Sequence, residues 1–113
     1  MKRYVEVELG GAVRKLRYDF NAIVDLENYF NKGIGAILNE EQAGFRVIRA
    51  MYWAGVRAFN KKVTIEQVGN WLQEEIENGK GIEELFEPVT KALQASGLLG
   101  DMEEVPEDGE EKN

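Results

Sequence analysis

Tyr4-Val5-Glu6-Val7-Glu8-Leu9, then Gly10-Gly11, then Val13-Arg14-Lys15-Leu16-Arg17-Tyr18: the reading of this stretch decides between an all-helical and a mixed fold. The first run alternates apolar and charged side chains, the period of a strand with one face on a core and one in water. The paired glycines supply the positive φ angles of a tight hairpin turn. The second run returns with Val13 and Leu16 out of strict alternation, which predicts a bulge near the turn or a longer loop. Glu6 and Glu8 face a run carrying Arg14, Lys15 and Arg17, so opposite charges are available across the pair. The segment reads as a β-hairpin.

Everything after it has helical period. Asp19 or Asn21 can cap a helix whose inner line is Ala22, Ile23, Leu26, Tyr29 and Phe30. Asn31-Lys32-Gly33 ends it, with glycine as the residue suited to a left-handed C-cap. Ile34, Ile37 and Leu38 form a short apolar stretch around Gly35, about one helical turn. Residues 41–59 read as the central helix, with Phe45, Ile48, Tyr52, Val56 and Phe59 inward and Val47, Met51 and Ala54 widening the apolar side. So broad an apolar surface predicts burial on more than one side. Thr64-Ile65-Glu66-Gln67 is a capping box opening a helix with Ile65, Val68, Leu72 and Ile76 inward. Asn78-Gly79-Lys80-Gly81 stops it. A last helix over residues 82–96 places Ile82, Leu85, Phe86, Val89, Ala92 and Leu93 inward, with a kink expected at Pro88 and a C-cap at Gly97.

The net charge of −7 is unevenly placed. Residues 101–113 hold seven acids against Lys112, so this segment carries −6 and the first 100 residues carry −1. A segment this charged, with Met102 and Val105 as its sizeable apolar groups, cannot bury enough surface to offset its ordering entropy. The expected organisation is one domain over residues 1–99 and a disordered acidic tail over 100–113. The fold class is α+β, mainly α: an N-terminal hairpin packed on about four helices. No apolar run approaches the ~18 residues that span a bilayer, and no signal-peptide core follows Met1, so a cytoplasmic protein is expected.

Catalysis is not expected. The chain has no His and no Cys, which removes the commonest general base, the commonest metal ligand and the thiol nucleophile together. The carboxylates Asp25 and Glu27, Glu74, Glu75 and Glu77, and Glu83 and Glu84 fall on the polar sides of amphipathic helices and read as solvated surface. Gly10-Gly11 lacks the spacing and the Lys-Ser/Thr pair of a phosphate loop. No catalytic residue, metal site or cofactor is assigned.

The central helix aligns Arg46, Arg49, Trp53 and Arg57, and Lys61 and Lys62 extend the run, so a nucleic-acid-binding regulator is the alternative reading. Against it, the next helix carries Glu66, Glu74, Glu75 and Glu77 and no Lys or Arg, the wrong sign for a groove lined by phosphates. The plainer reading has the arginines lying over Trp53 and pairing with those glutamates. Trp71 lies one step off the inner line of its helix. It is either an exposed interface anchor or a core-edge residue packed on the hairpin.

Three segments in order then resemble a family. Tyr18-Asp19-Phe20-Asn21-Ala22-Ile23-Val24-Asp25-Leu26-Glu27, Arg49-Ala50-Met51-Tyr52-Trp53-Ala54-Gly55-Val56-Arg57 and Val63-Thr64-Ile65-Glu66-Gln67-Val68-Gly69 are similar to the tail assembly chaperones of long-tailed phages and the related gene-transfer-agent proteins. The departures are Tyr18 for Phe, Met51-Tyr52 for aliphatic residues and Val56 for Leu. The resemblance implies a protein that coats the tape-measure protein, recruits tail-tube subunits and is absent from the mature virion, without catalytic residues or cofactor. It needs a semi-exposed apolar surface for a partner helix. Trp53, Trp71 and Phe86, with Arg49 and Arg57, are the candidate partner-binding residues, and a homo-oligomer is possible within this reading. Family members often occur in two lengths through a ribosomal frameshift. The A-rich codons available to Glu110-Glu111-Lys112-Asn113 make a slippery run there an expectation that the gene sequence tests.

Overall fold

Val5–Leu9 (β1) and Ala12–Leu16 (β2) pair antiparallel around Gly10-Gly11 in a computed structural model that describes residues 3–39 and 44–99. Leu9 stands opposite Ala12 and Val5 opposite Leu16, with one residue for one along the whole pair. The expected bulge is therefore absent. Both glycines have positive φ, 65° and 80°, and a two-residue turn of that hand matches the twist of the strands directly. The irregular pattern has another cause. Val5, Val7 and Leu9 share the inner face with Ala12, Arg14 and Leu16, so an arginine points inward and Val13 points out, 65% exposed. Glu6 does stand opposite Lys15.

Five helices follow: Phe20–Phe30 (α1), Ile34–Leu38 (α2), Phe45–Arg57 (α3), Ile65–Glu77 (α4) and Ile82–Ser96 (α5). Asp19 caps α1 through a bond from Ala22 N–H, 2.8 Å, which settles the choice between Asp19 and Asn21. The left-handed residue at its end is Asn31, φ 58°, and not Gly33 as the sequence suggested. Asparagine tolerates that region, and Gly33 serves instead as N-cap of α2. Thr64 and Gln67 form the expected reciprocal box at α4. Helix α5 continues through Pro88 and ends on Gly97 at φ 73°. The expected start of the central helix at residues 41–43 and the acidic tail at 100–113 lie outside the described residues.

Helix α3 is the hub, packing on α1, α4, α5 and β2, while the hairpin also meets α4 and α5. Its Ile48, Ala50, Met51, Tyr52, Ala54, Gly55 and Val56 are buried, the two-sided burial its composition predicts. Its ends differ from expectation: Phe45 is 75% exposed and Phe59 is also exposed. On α4 the same holds for Ile76, which looks outward, while Glu75 is buried. The acidic residue expected at the surface is held inside by Lys80, Nζ to Oε1 3.2 Å. No helix among the described residues is long and apolar enough to cross a membrane.

Candidate functional site

The three segments 18–27, 49–57 and 63–69 meet one another in space. Tyr18 sends its hydroxyl to the carbonyl of Met51, 2.6 Å, and its ring lies against Gly55. A Cβ on Gly55 would stand 3.2 Å from Tyr18 Cζ and 3.0 Å from Leu16 Cδ2, so the hairpin's exit seats on α3 only because that position has no side chain. Arg17 N–H donates to the Gly55 carbonyl, 3.1 Å. Asp25 on α1 receives Arg57 of α3 at 2.7 Å. Arg49 of α3 crosses α4 at Gly69, its Cδ 3.2 Å from where a Cβ would be. These residues hold β2, α1, α3 and α4 in one arrangement.

Of the five candidate partner-binding residues Trp53 and Arg57 stand together, while Trp71, Phe86 and Arg49 sit in other surroundings. Trp53 is half-buried, its ring 6.1 Å from that of Tyr29, with the Arg57 guanidinium 5.6 Å above it. Arg46 covers the neighbouring Tyr29 and Phe30, 5.2 and 4.9 Å from the two rings. Trp71 takes the core-edge place on the hairpin, packed against Gly10 and covered by Arg14 at 3.7 Å. Arg14 also donates to the Leu9 carbonyl, 2.6 Å, which explains an inward arginine on β2. Phe86 packs half-buried against the core. Arg57 thus lies over Trp53 as read from sequence, whereas Arg46 covers other rings and Arg49 lies along α4 at Gly69, and Arg57 pairs with Asp25 of α1 and not with the glutamates of α4.

Arg49 alone of the five lines a groove of about 550 Å³ between α3, α4 and the start of α5. Ile48, Leu72 and Leu85 form its floor, Ile82 and Gly81 its far wall, and Phe45 and Ile76 its exposed lips. Sequence reasoning placed Phe45 and Ile76 on inner faces, because helical period gives a residue's azimuth and not whether a neighbour covers it there. A second, smaller hollow of about 250 Å³ lies at the other end, between α1 and the end of α5. Phe20, Val24 and Leu98 are its exposed edges.

Two buried hydroxyls complete the interior. Tyr52 donates to the Leu85 carbonyl, 2.6 Å, tying α3 to α5 as Tyr18 ties the hairpin to α3. Burial pushes the Tyr18 hydroxyl well above the usual tyrosine range, with Tyr52 adding to it. Burial, then the charge of Glu75, does the same for Tyr52. Among the described residues no group of three or more acids is gathered to hold a metal ion.

No family model, curated protein or solved structure matches this chain.

Proposed function

We propose that this protein is a phage tail assembly chaperone that holds the tape-measure protein, and with it tail-tube subunits, until the tail is built. The single observation that carries the reading is the open apolar groove with Phe45 and Ile76 at its lips. Exposed apolar surface with polar surroundings is costly to leave in water and marks places where a partner sits. A groove between helices suits an amphipathic helix, the form a long helical tape-measure protein would offer. The reading also rests on the similarity of three segments in order, now seen to hold the hairpin, α1, α3 and α4 together.

The placement of the arginines speaks for a protein partner over nucleic acid. Arg46 and Arg57 lie over aromatic rings, and Arg57 is paired with Asp25, so they do not form an open basic stripe. The test is co-expression with the tape-measure protein of the same genetic element. The chaperone reading expects that protein to become soluble and to co-purify. Salt-sensitive retention on DNA, without tape-measure binding, would support the regulator instead.

A further inference from the structure

The groove wall holds a charged group that the fold does not satisfy. Arg49 leaves α3, lies along α4 at Gly69, and buries its Nε–H with no hydrogen-bond partner. That nitrogen is closed to water, so what Arg49 offers an occupant of the groove is the charge of the guanidinium it belongs to. The other cation at the groove is already engaged, since Lys80 is held by Glu75 at 3.2 Å. No ion pair joins Arg49 to a described carboxylate. The remaining surface offered to an occupant is chiefly apolar, from Phe45, Ile48, Leu72, Ile76 and Ile82.

We propose that the groove takes an amphipathic helix whose apolar face carries one carboxylate, and that this carboxylate pairs with the Arg49 guanidinium. This rests on the groove being the chaperone's partner seat, and it adds the chemistry by which a segment of the partner is chosen. The apolar residues of the helix fill the space between Phe45 and Ile76. The acid alone is not enough, because the walls reward only apolar burial. The apolar face alone leaves the Arg49 guanidinium without its carboxylate. A charge-assisted hydrogen bond inside an apolar groove is among the stronger single contacts a helix can make. Gly69 leaves room for it, since a Cβ there would stand 3.2 Å from the Arg49 Cδ and make the side chain shift.

The probes are two synthetic helical peptides of about eighteen residues, long enough for five turns. Both carry leucines at i, i+3, i+4 and i+7. One has a glutamate within that face and its twin has glutamine. Binding is followed by fluorescence anisotropy and by the Arg49 Nε–H resonance in ¹⁵N spectra. On the unmodified chain the glutamate peptide is expected to bind at least about tenfold tighter, a difference of about 1.4 kcal/mol. It should also shift the Arg49 Nε–H, and Arg49→Met should erase the difference between the twins. Equal binding of the twins, or binding of neither, overturns the proposal. So does a shift of the Arg49 resonance with protein concentration alone, which would mean that a second copy fills the groove. The twin comparison uses the unmodified protein, so no outcome depends on a variant folding. Equal twin binding with the tape-measure protein still co-purifying removes the carboxylate seat and leaves the chaperone reading standing.

Discussion

The indole of Trp71 occupies the space that a side chain on Gly10 would need: a Cβ there would overlap Trp71 Cδ1. Hairpin chemistry and tertiary packing therefore disagree about this position. A two-residue turn with both φ angles positive favours Asn-Gly, so the turn alone would welcome asparagine at Gly10. Gly11 has the same backbone freedom, φ 80°, with nothing near its missing Cβ.

Gly10→Asn is thus expected to destabilise the protein by about 1–3 kcal/mol, the range of overpacking with displaced neighbours. Gly11→Asn should cost about 1 kcal/mol or less, since asparagine tolerates the left-handed region. Urea unfolding midpoints of the two variants measure this, and equal midpoints would show that Trp71 moves aside freely.

A second pair of glycines separates packing from propensity in the same way. Replacing a helical glycine by alanine gains up to about 1 kcal/mol where the space is open. Gly35 in α2 meets nothing within 4 Å, so Gly35→Ala should stabilise. At Gly55 the new Cβ meets Leu16 and Tyr18, both fully buried and unable to retreat. Gly55→Ala should destabilise by about 1–3 kcal/mol despite the better propensity. Thermal unfolding of both variants gives the two signs.

Alkaline pH should unfold the protein through Tyr18 and Tyr52. Both hydroxyls are buried donors whose ionisation is pushed above the usual range, so the folded state keeps protons that the unfolded chain releases near pH ~10. Their contribution is complete below the unfolded value and is lost as pH rises through the raised folded values. Above pH ~10 stability should fall by up to about 1.4 kcal/mol per pH unit for each tyrosine. Tyr52→Phe should lower that slope by about half while costing about 1 kcal/mol at neutral pH for the lost bond to Leu85. Denaturant titrations from pH 8 to 12 measure both.

Arg57 should matter more through Trp53 than through Asp25. The ion pair at 2.7 Å is about a third exposed on each side, where such pairs give about 0.2–1 kcal/mol. Asp25→Ala is expected to stay near that range, and Arg57→Ala to exceed it by the lost cover over the Trp53 ring. A double-mutant cycle in which the pair accounts for all of the Arg57 effect would refute this.

Most of the fold could be read from residue order. The hairpin, the Asp19 cap, the Thr64 box, the Gly97 stop and the central place of α3 follow from local rules of period and capping. What local rules missed depends on neighbours distant in sequence. Arg14 interrupts the strand pattern because it serves Trp71 on α4, and Glu75 is buried because Lys80 reaches it from the following loop. The groove was hidden for the same reason. Phe45 and Ile76 have the period of core residues, and only the packing of α3, α4 and α5 leaves that side open. Trp53 and Trp71 were conspicuous as large aromatics, yet arginines cover both.

The most direct test of the chaperone reading uses the two lip residues, Phe45 and Ile76, with the thermal midpoint as the check on folding. Phe45→Ser with Ile76→Ser should leave the thermal midpoint within about 4–8 °C of the parent, equivalent to ~1 kcal/mol or less. Co-expressed with the tape-measure protein of the same element, the parent chain should keep that protein in the soluble fraction and co-purify with it, and the double variant should lose at least about tenfold of the recovered complex. Equal recovery with the double variant, or no recovery with the parent, would contradict a chaperone that holds its partner in this groove.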